Sequence, residues 1–198
     1  WKGGWGTSAG FEIVDEVVNG TTMKTLVIQP YSDTATTAVG ASVDGTYTTS
    51  GSTTSFSKST APWWPVHSVI KAVRVKAGTT ISLPSSTSTY FADAFRSFTA
   101  LKTCDLTGLD TTNARQMDGL FYGCSAMTSV DVSRLSTQNV TTFANMFYSC
   151  SGLVSLEVNN LDTSAATNMS NMFYSCSKLT SLDVSKFKTG RVTNMSSM

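Results

Sequence analysis

Reactive side chains in this sequence fall into columns. Cys124, Cys150 and Cys176 recur at a constant step of 26 residues. Stacked units would bring those sulfurs close together, so a disulfide or metal ladder has to be weighed first. His67 is the only histidine and lies outside the column, and no Cys-x-x-Cys pair exists. Three thiols along one direction cannot readily surround a tetrahedral zinc, and in-register stacking gives poor disulfide geometry. The column therefore reads as free, buried thiols acting as small apolar groups, with Cys104 standing in for a strand leucine. No metal and no cofactor is expected.

Asp105, Asp131, Glu157 and Asp183 keep the same 26-residue step. Like charges about 5 Å apart repel by roughly 0.8 kcal/mol per neighbouring pair even in water. Two readings of this stripe are open. It is a solvated face screened by salt and by hydroxyls such as Thr103, Ser129, Ser155 and Ser181, or it is a ligand-binding face for a cationic or calcium-bridged partner. Nucleophilic catalysis would need His67 or an unobvious base for any Ser or Cys, and no spacing supplies one. The chain reads as a non-enzyme. With 198 residues, a net charge of +1 and 14% charged positions, it also lacks a field strong enough to gather nucleic acid.

These columns belong to a repeat. Phe95, Phe121, Phe147 and Phe173 are spaced by 26 residues, as are Leu101, Met127, Leu153, Leu179 and Thr111, Thr137, Thr163, Thr189. Within a unit, Leu153-x-x-Leu156-x-Val158-x-x-Leu161 contains a period-2 pair that predicts a short strand with Leu156 and Val158 inward. Ala166, Met169, Met172 and Phe173 then follow a spacing that predicts a short helical stretch packed behind the strand. One unit cannot bury its apolar face alone, so neighbours must stack. The expected fold is α/β: a leucine-rich-repeat solenoid of 26-residue strand-turn-helix units with a parallel sheet, preceded by a small β-rich N-terminal capping module.

The LxxLxL core with its Cys and Met-Phe pair resembles the BspA-like class of bacterial leucine-rich-repeat surface proteins. Residues 147–173, "FYSCSGLVSLEVNNLDTSAATNMSNMF", and 173–198, "FYSCSKLTSLDVSKFKTGRVTNMSSM", follow that class almost position by position. The unit from Phe95 departs, with Phe98 where the others carry Cys. The resemblance implies a cell-surface or secreted protein that mediates protein–protein interaction or adhesion to host or neighbouring cells. The alternative is a structural stalk that presents another domain and has no ligand of its own. The expected partner is a protein or other macromolecular surface ligand, with no nucleic acid and no membrane insertion.

Three segments are expected: a β-rich capping module over 1–68, an entry strand and irregular first unit over 69–94, and the repeats over 95–198. "FEIVDEVV" and "TMKTLVIQP", joined across Asn19-Gly20, predict a β-hairpin. "TTSGSTTSFSKST" predicts loops, and Trp63 and Trp64 read as covers for the first apolar rung rather than a carbohydrate platform. This region resembles the entry module of the same class. Asn-x-Ser/Thr triplets at Asn19, Asn139, Asn168 and Asn194 arise from the repeat pattern and give only a weak glycosylation signal. The start at Trp1, with no leader behind it, reads as an excised or mature fragment. Met198 falls inside a unit, so the array reads as truncated, and its uncapped end predicts self-association.

Overall fold

The computed structural model describes residues 2–5, 9–18, 20–30, 40–42, 45–47, 64–83 and 91–198. A five-stranded sheet runs in the order β1 (Lys2–Trp5), β2 (Ala9–Val18), β3 (Thr21–Pro30), β6 (Ala72–Val75), β8 (Thr103–Asp105). A small hairpin, β4 (Gly40–Ser42) with β5 (Gly45–Tyr47), and a parallel pair, β7 (Ile81–Ser82) with β9 (Leu109–Asp110), complete the strands. Strands β2 and β3 form an antiparallel hairpin in which Val18 faces Thr21. Gly20 sits in the turn at φ 75°, where a glycine carries no steric penalty. Asn19, Trp63 and the serine- and threonine-rich stretch 48–60 lie outside the described residues; Trp64 opens a 3-10 helix, Trp64–Val69.

The change from hairpin to repeat happens within one sheet. Strand β3 pairs parallel with β6, and β6 pairs parallel with β8, through Leu26↔Val73 and Val73↔Cys104. All five side chains at these steps are buried: Leu26, Val73 and Cys104 in one line, with Ile28 beside Val75 in the next. The segments expected as 1–68, 69–94 and 95–198 thus share a continuous sheet and a continuous core.

The strand-turn-helix solenoid is not what the chain adopts. Among the described residues the only helix is the short 3-10 segment Trp64–Val69, and residues 166–173, where the apolar spacing predicts a helical stretch, are turns and a bend around an isolated bridge at Asn168. Two further columns explain why. Asp93, Gly119, Asn145, Asn171 and Ser197 all have φ between 53° and 61° or nearly so, with Ser197 at 52°. Ser97, Gly123, Ser149 and Ser175 form a second positive-φ column, at 55° to 72°. A left-handed residue costs about 1–2 kcal/mol for most side chains and ends a right-handed helix at once. Two of them, flanking each core phenylalanine, convert the predicted helical turn into a chain of tight turns. The types are those that tolerate the conformation: Gly, Asn, Asp and the small Ser.

The backbone polar groups freed by the missing helix pair between rungs instead. Phe95 N–H donates to the Leu120 carbonyl at 3.0 Å and Ser97 N–H to that of Tyr122 at 2.6 Å; Phe121 and Gly123 repeat this to Met146 and Tyr148. Alternate residues close turns within the rung, as Arg96 N–H to the Asp93 carbonyl at 3.1 Å and Cys124 N–H to that of Phe121 at 3.1 Å. Each rung therefore satisfies its own turns and half its donors bond to the next rung, which leaves few buried backbone groups unpaired. The strand part of the repeat is equally brief: beyond β8, only the bridge Asp131↔Glu157 continues it.

Side chains stack at the same step. Phe95, Phe121 and Phe147 are fully buried, with ring centroids 5.6 and 5.7 Å apart, and Phe173 follows at 5.8 Å. Each buried ring contributes roughly 1.5–3 kcal/mol by leaving water, with about 0.5–1.5 kcal/mol more from each ring pair. In the first unit Phe98 takes the place of cysteine and meets Phe95 edge-on at 5.8 Å. Thr111, Thr137 and Thr163 are buried, and each hydroxyl donates to a carbonyl of the next rung, Ser136, Asp162 and Lys188, at 3.1, 3.1 and 3.3 Å. Thr111 and Thr163 oxygens also accept from Ser136 and Lys188 N–H.

Candidate functional site

The acidic column lines a groove on the outer strand face. Asp131, Glu157 and Asp183 share an open groove of about 530 Å³ with Ser129, Ser155 and Ser181. Its apolar part includes Val154, 56% exposed although it belongs to a core-building repeat. Asp105 stands in register with Arg74 across the β6–β8 pair, and Arg74 is engaged by Glu16 through its Nε at 3.1 Å. The four acids are thus brought into one line, with the first beside a basic strand and the other three together.

Local turns fix these carboxylates. Each accepts a hydrogen bond from the backbone N–H two residues on: Asp105 from Thr107 at 2.9 Å, Asp131 from Ser133 at 2.8 Å, Glu157 from Asn159 at 2.9 Å and Asp183 from Ser185 at 2.8 Å. This is the side-chain turn that acidic residues form readily. The Ser133 hydroxyl and N–H hold the Asp131 carboxyl below the usual range, as the Ser185 N–H and hydroxyl do for Asp183. Asn159 adds a side-chain donor to Asp183 at 3.1 Å. Among the described residues no lysine or arginine forms an ion pair with the four acids. No three His, Cys, Asp or Glu side chains among the described residues gather to hold a metal ion.

The thiols point inward. Cys124, Cys150 and Cys176 are free and buried, and each S–H donates to a phenylalanine carbonyl of the preceding rung, Phe95, Phe121 and Phe147, at 3.1 Å. Burial pushes the Cys150 thiol up to about 12 and raises Cys104, Cys124 and Cys176 as well. A thiol held protonated is a poor nucleophile and metal ligand.

One surface column escapes the apolar-spacing argument. Tyr122, Tyr148 and Tyr174 stack face to face at 4.5 and 5.0 Å, and the Arg96 guanidinium covers the first ring at 3.6 Å from its centroid. Arg96 pairs with Asp93 at 2.9 Å, next to Asp118, whose partly buried carboxyl is raised by desolvation and by the Asp93 charge. The 26-residue step of tyrosines is visible in the sequence, but the residue following a core phenylalanine falls on no predicted apolar face. Tyr148 is covered on both faces by its neighbours, whereas Tyr174, at the end of the column, is 45% exposed.

Among the described residues no helix is long and apolar enough to cross a membrane. No curated protein and no solved structure matches the chain. A family model described as "Mycoplasma protein of unknown function, DUF285" matches residues 88–198, which begins just before the first stacked phenylalanine and covers more than half of the sequence. The chain therefore belongs to the DUF285 family.

Proposed function

We propose that the chain is a non-catalytic recognition module whose strand-face groove holds a cationic stretch of a macromolecular partner, at a bacterial cell surface or in secreted form. The observation that carries this reading is the groove itself: three carboxylates set by backbone turns, without a basic partner among the described residues, beside an exposed valine. Preset side chains lose little freedom on binding, which favours affinity per contact. Stacked rungs present such a face as a long, regular surface. Surface display and adhesion rest on the sequence resemblance, and the buried, protonated thiols support a role without covalent chemistry.

Calorimetric titration with a synthetic lysine-rich peptide tests this. Asp131→Asn combined with Glu157→Gln keeps the turn-accepting oxygens and removes the charge. Binding to the unaltered chain that weakens about tenfold in the double variant, roughly 1.4 kcal/mol, with the fold retained and only a small fall in melting temperature from the weaker turn acceptor at position 131, is the expected result. Equal binding by both proteins, or none by either, refutes the reading. Binding should also weaken with salt, since exposed charges are screened beyond about 8–10 Å at physiological ionic strength.

A further inference from the structure

The sheet that ends at Asp105, the first member of the acidic column, carries a basic line. The registers Thr25↔Ala72 and Ala72↔Thr103 place the preceding residues, Lys24, Lys71 and Lys102, in line across β3, β6 and β8. Backbone bonds confirm the alignment: Lys71 N–H donates to the Lys24 carbonyl at 2.9 Å, and Lys102 N–H to that of Lys71 at 2.8 Å. Parallel strands set this lysine ladder at about 4.8 Å per step. Of these three lysines only Lys24 is ion-paired among the described residues, with Asp15 at 2.8 Å. Lys24 and Lys71 line a groove of about 520 Å³ that also contains Val69, itself 46% exposed.

We infer that the groove's partner is a second copy of this chain, the lysine ladder of one molecule seating on Asp131, Glu157 and Asp183 of the next. This rests on the recognition reading above and names its ligand. Parallel pairing sets both lines, through β3, β6 and β8 for the lysines and the bridge Asp131↔Glu157 for the acids, so their charges recur at a similar pitch. An extended peptide repeats a given side at about 6.8 Å, twice the rise per residue, so it binds through fewer carboxylates in step than a ladder of rungs does. Each groove also exposes one valine, Val69 beside the lysines and Val154 beside the acids, so each charged line has an apolar neighbour to bury in the contact. The contact joins unlike patches, so every molecule carries both halves and assembly grows with concentration.

Sedimentation of the unaltered chain and two charge-removed variants tests the inference. The variants are Lys71→Gln with Lys102→Gln, and Asp131→Asn with Glu157→Gln. The unaltered chain should gain mass with concentration at low salt and return to monomer at high salt. Each variant alone should stay monomeric at concentrations at least tenfold higher, and their mixture should form a one-to-one pair, because each keeps the half the other lacks. A monomeric unaltered chain, a variant that assembles like it, or a mixture that stays monomeric overturns the inference. If the lysine-rich peptide still binds in any of those cases, the groove is a recognition site for a different partner; if the peptide also fails, the recognition reading falls with it.

Discussion

Asp118 and four turn-bonded aspartates, Asp110, Asp131, Asp162 and Asp183, answer to pH in opposite senses. The Asp118 carboxyl is raised, by desolvation first and by Asp93 next, so its charged form is disfavoured in the fold. Asp118→Asn should raise the melting temperature at neutral pH, with the gain shrinking as pH falls through the elevated Asp118 value and the native group takes up its own proton. Thermal melts at a series of pH values from neutral downward check this; a gain that is constant with pH would refute it. Asp110, Asp131, Asp162 and Asp183 are lowered by hydrogen bonds to their turns. Their stabilisation is present above the ordinary carboxylate value and is lost as pH falls through their depressed values. The acidic residues were legible as a column from spacing alone, and the structure adds what spacing could not show: the turn bonds that orient them and the groove around them. The lysine ladder was hidden, because its members come from three strands whose separations of 47 and 31 residues obey no period.

At the scale of elements, the predicted helix failed because apolar periodicity reports which side chains are buried, not the sign of φ. Met169, Met172 and Ala166 are indeed buried, with Phe173 half-buried, but turns bury them as well as a helix would. The decisive signal lay in polar positions: Asn145, Asn171, Gly119 and Asp93 recur where left-handed backbone is needed. Asn145, at φ 58°, offers a direct check. Asn145→Val should destabilise by about 1–2 kcal/mol, since a β-branched side chain tolerates that conformation poorly, whereas Asn145→Gly should be close to neutral; denaturant titration reads both. The β2–β3 hairpin, by contrast, was readable from alternation and from Asn19-Gly20, because strand period and turn chemistry point the same way there.

Across the whole molecule, the core is one unbroken column system from Leu26 in the hairpin to Cys176 in the repeats. Removing one stacked ring should therefore be felt globally. Phe121→Ala is expected to cost about 3–5 kcal/mol in a single cooperative transition, and two separable transitions would contradict a shared core. Far-ultraviolet circular dichroism should lack the double minimum of helix, since turns and short strands replace it. A helical spectrum would restore the strand-turn-helix expectation that the coordinates overturn.

On the phenylalanine side of the repeats, bonds between coils link a donor to a carbonyl 25 positions further on, as Phe95 to Leu120, Phe121 to Met146 and Phe147 to Met172. Because that offset never changes, the seam left by excising one full period should be invisible to its neighbours. A deletion of residues 121–146 brings Phe147 directly after Leu120 and sets it on Phe95, so a shortened protein should still melt cooperatively. Cutting one residue fewer would leave every later side chain turned out of its slot, and that protein should not fold at all.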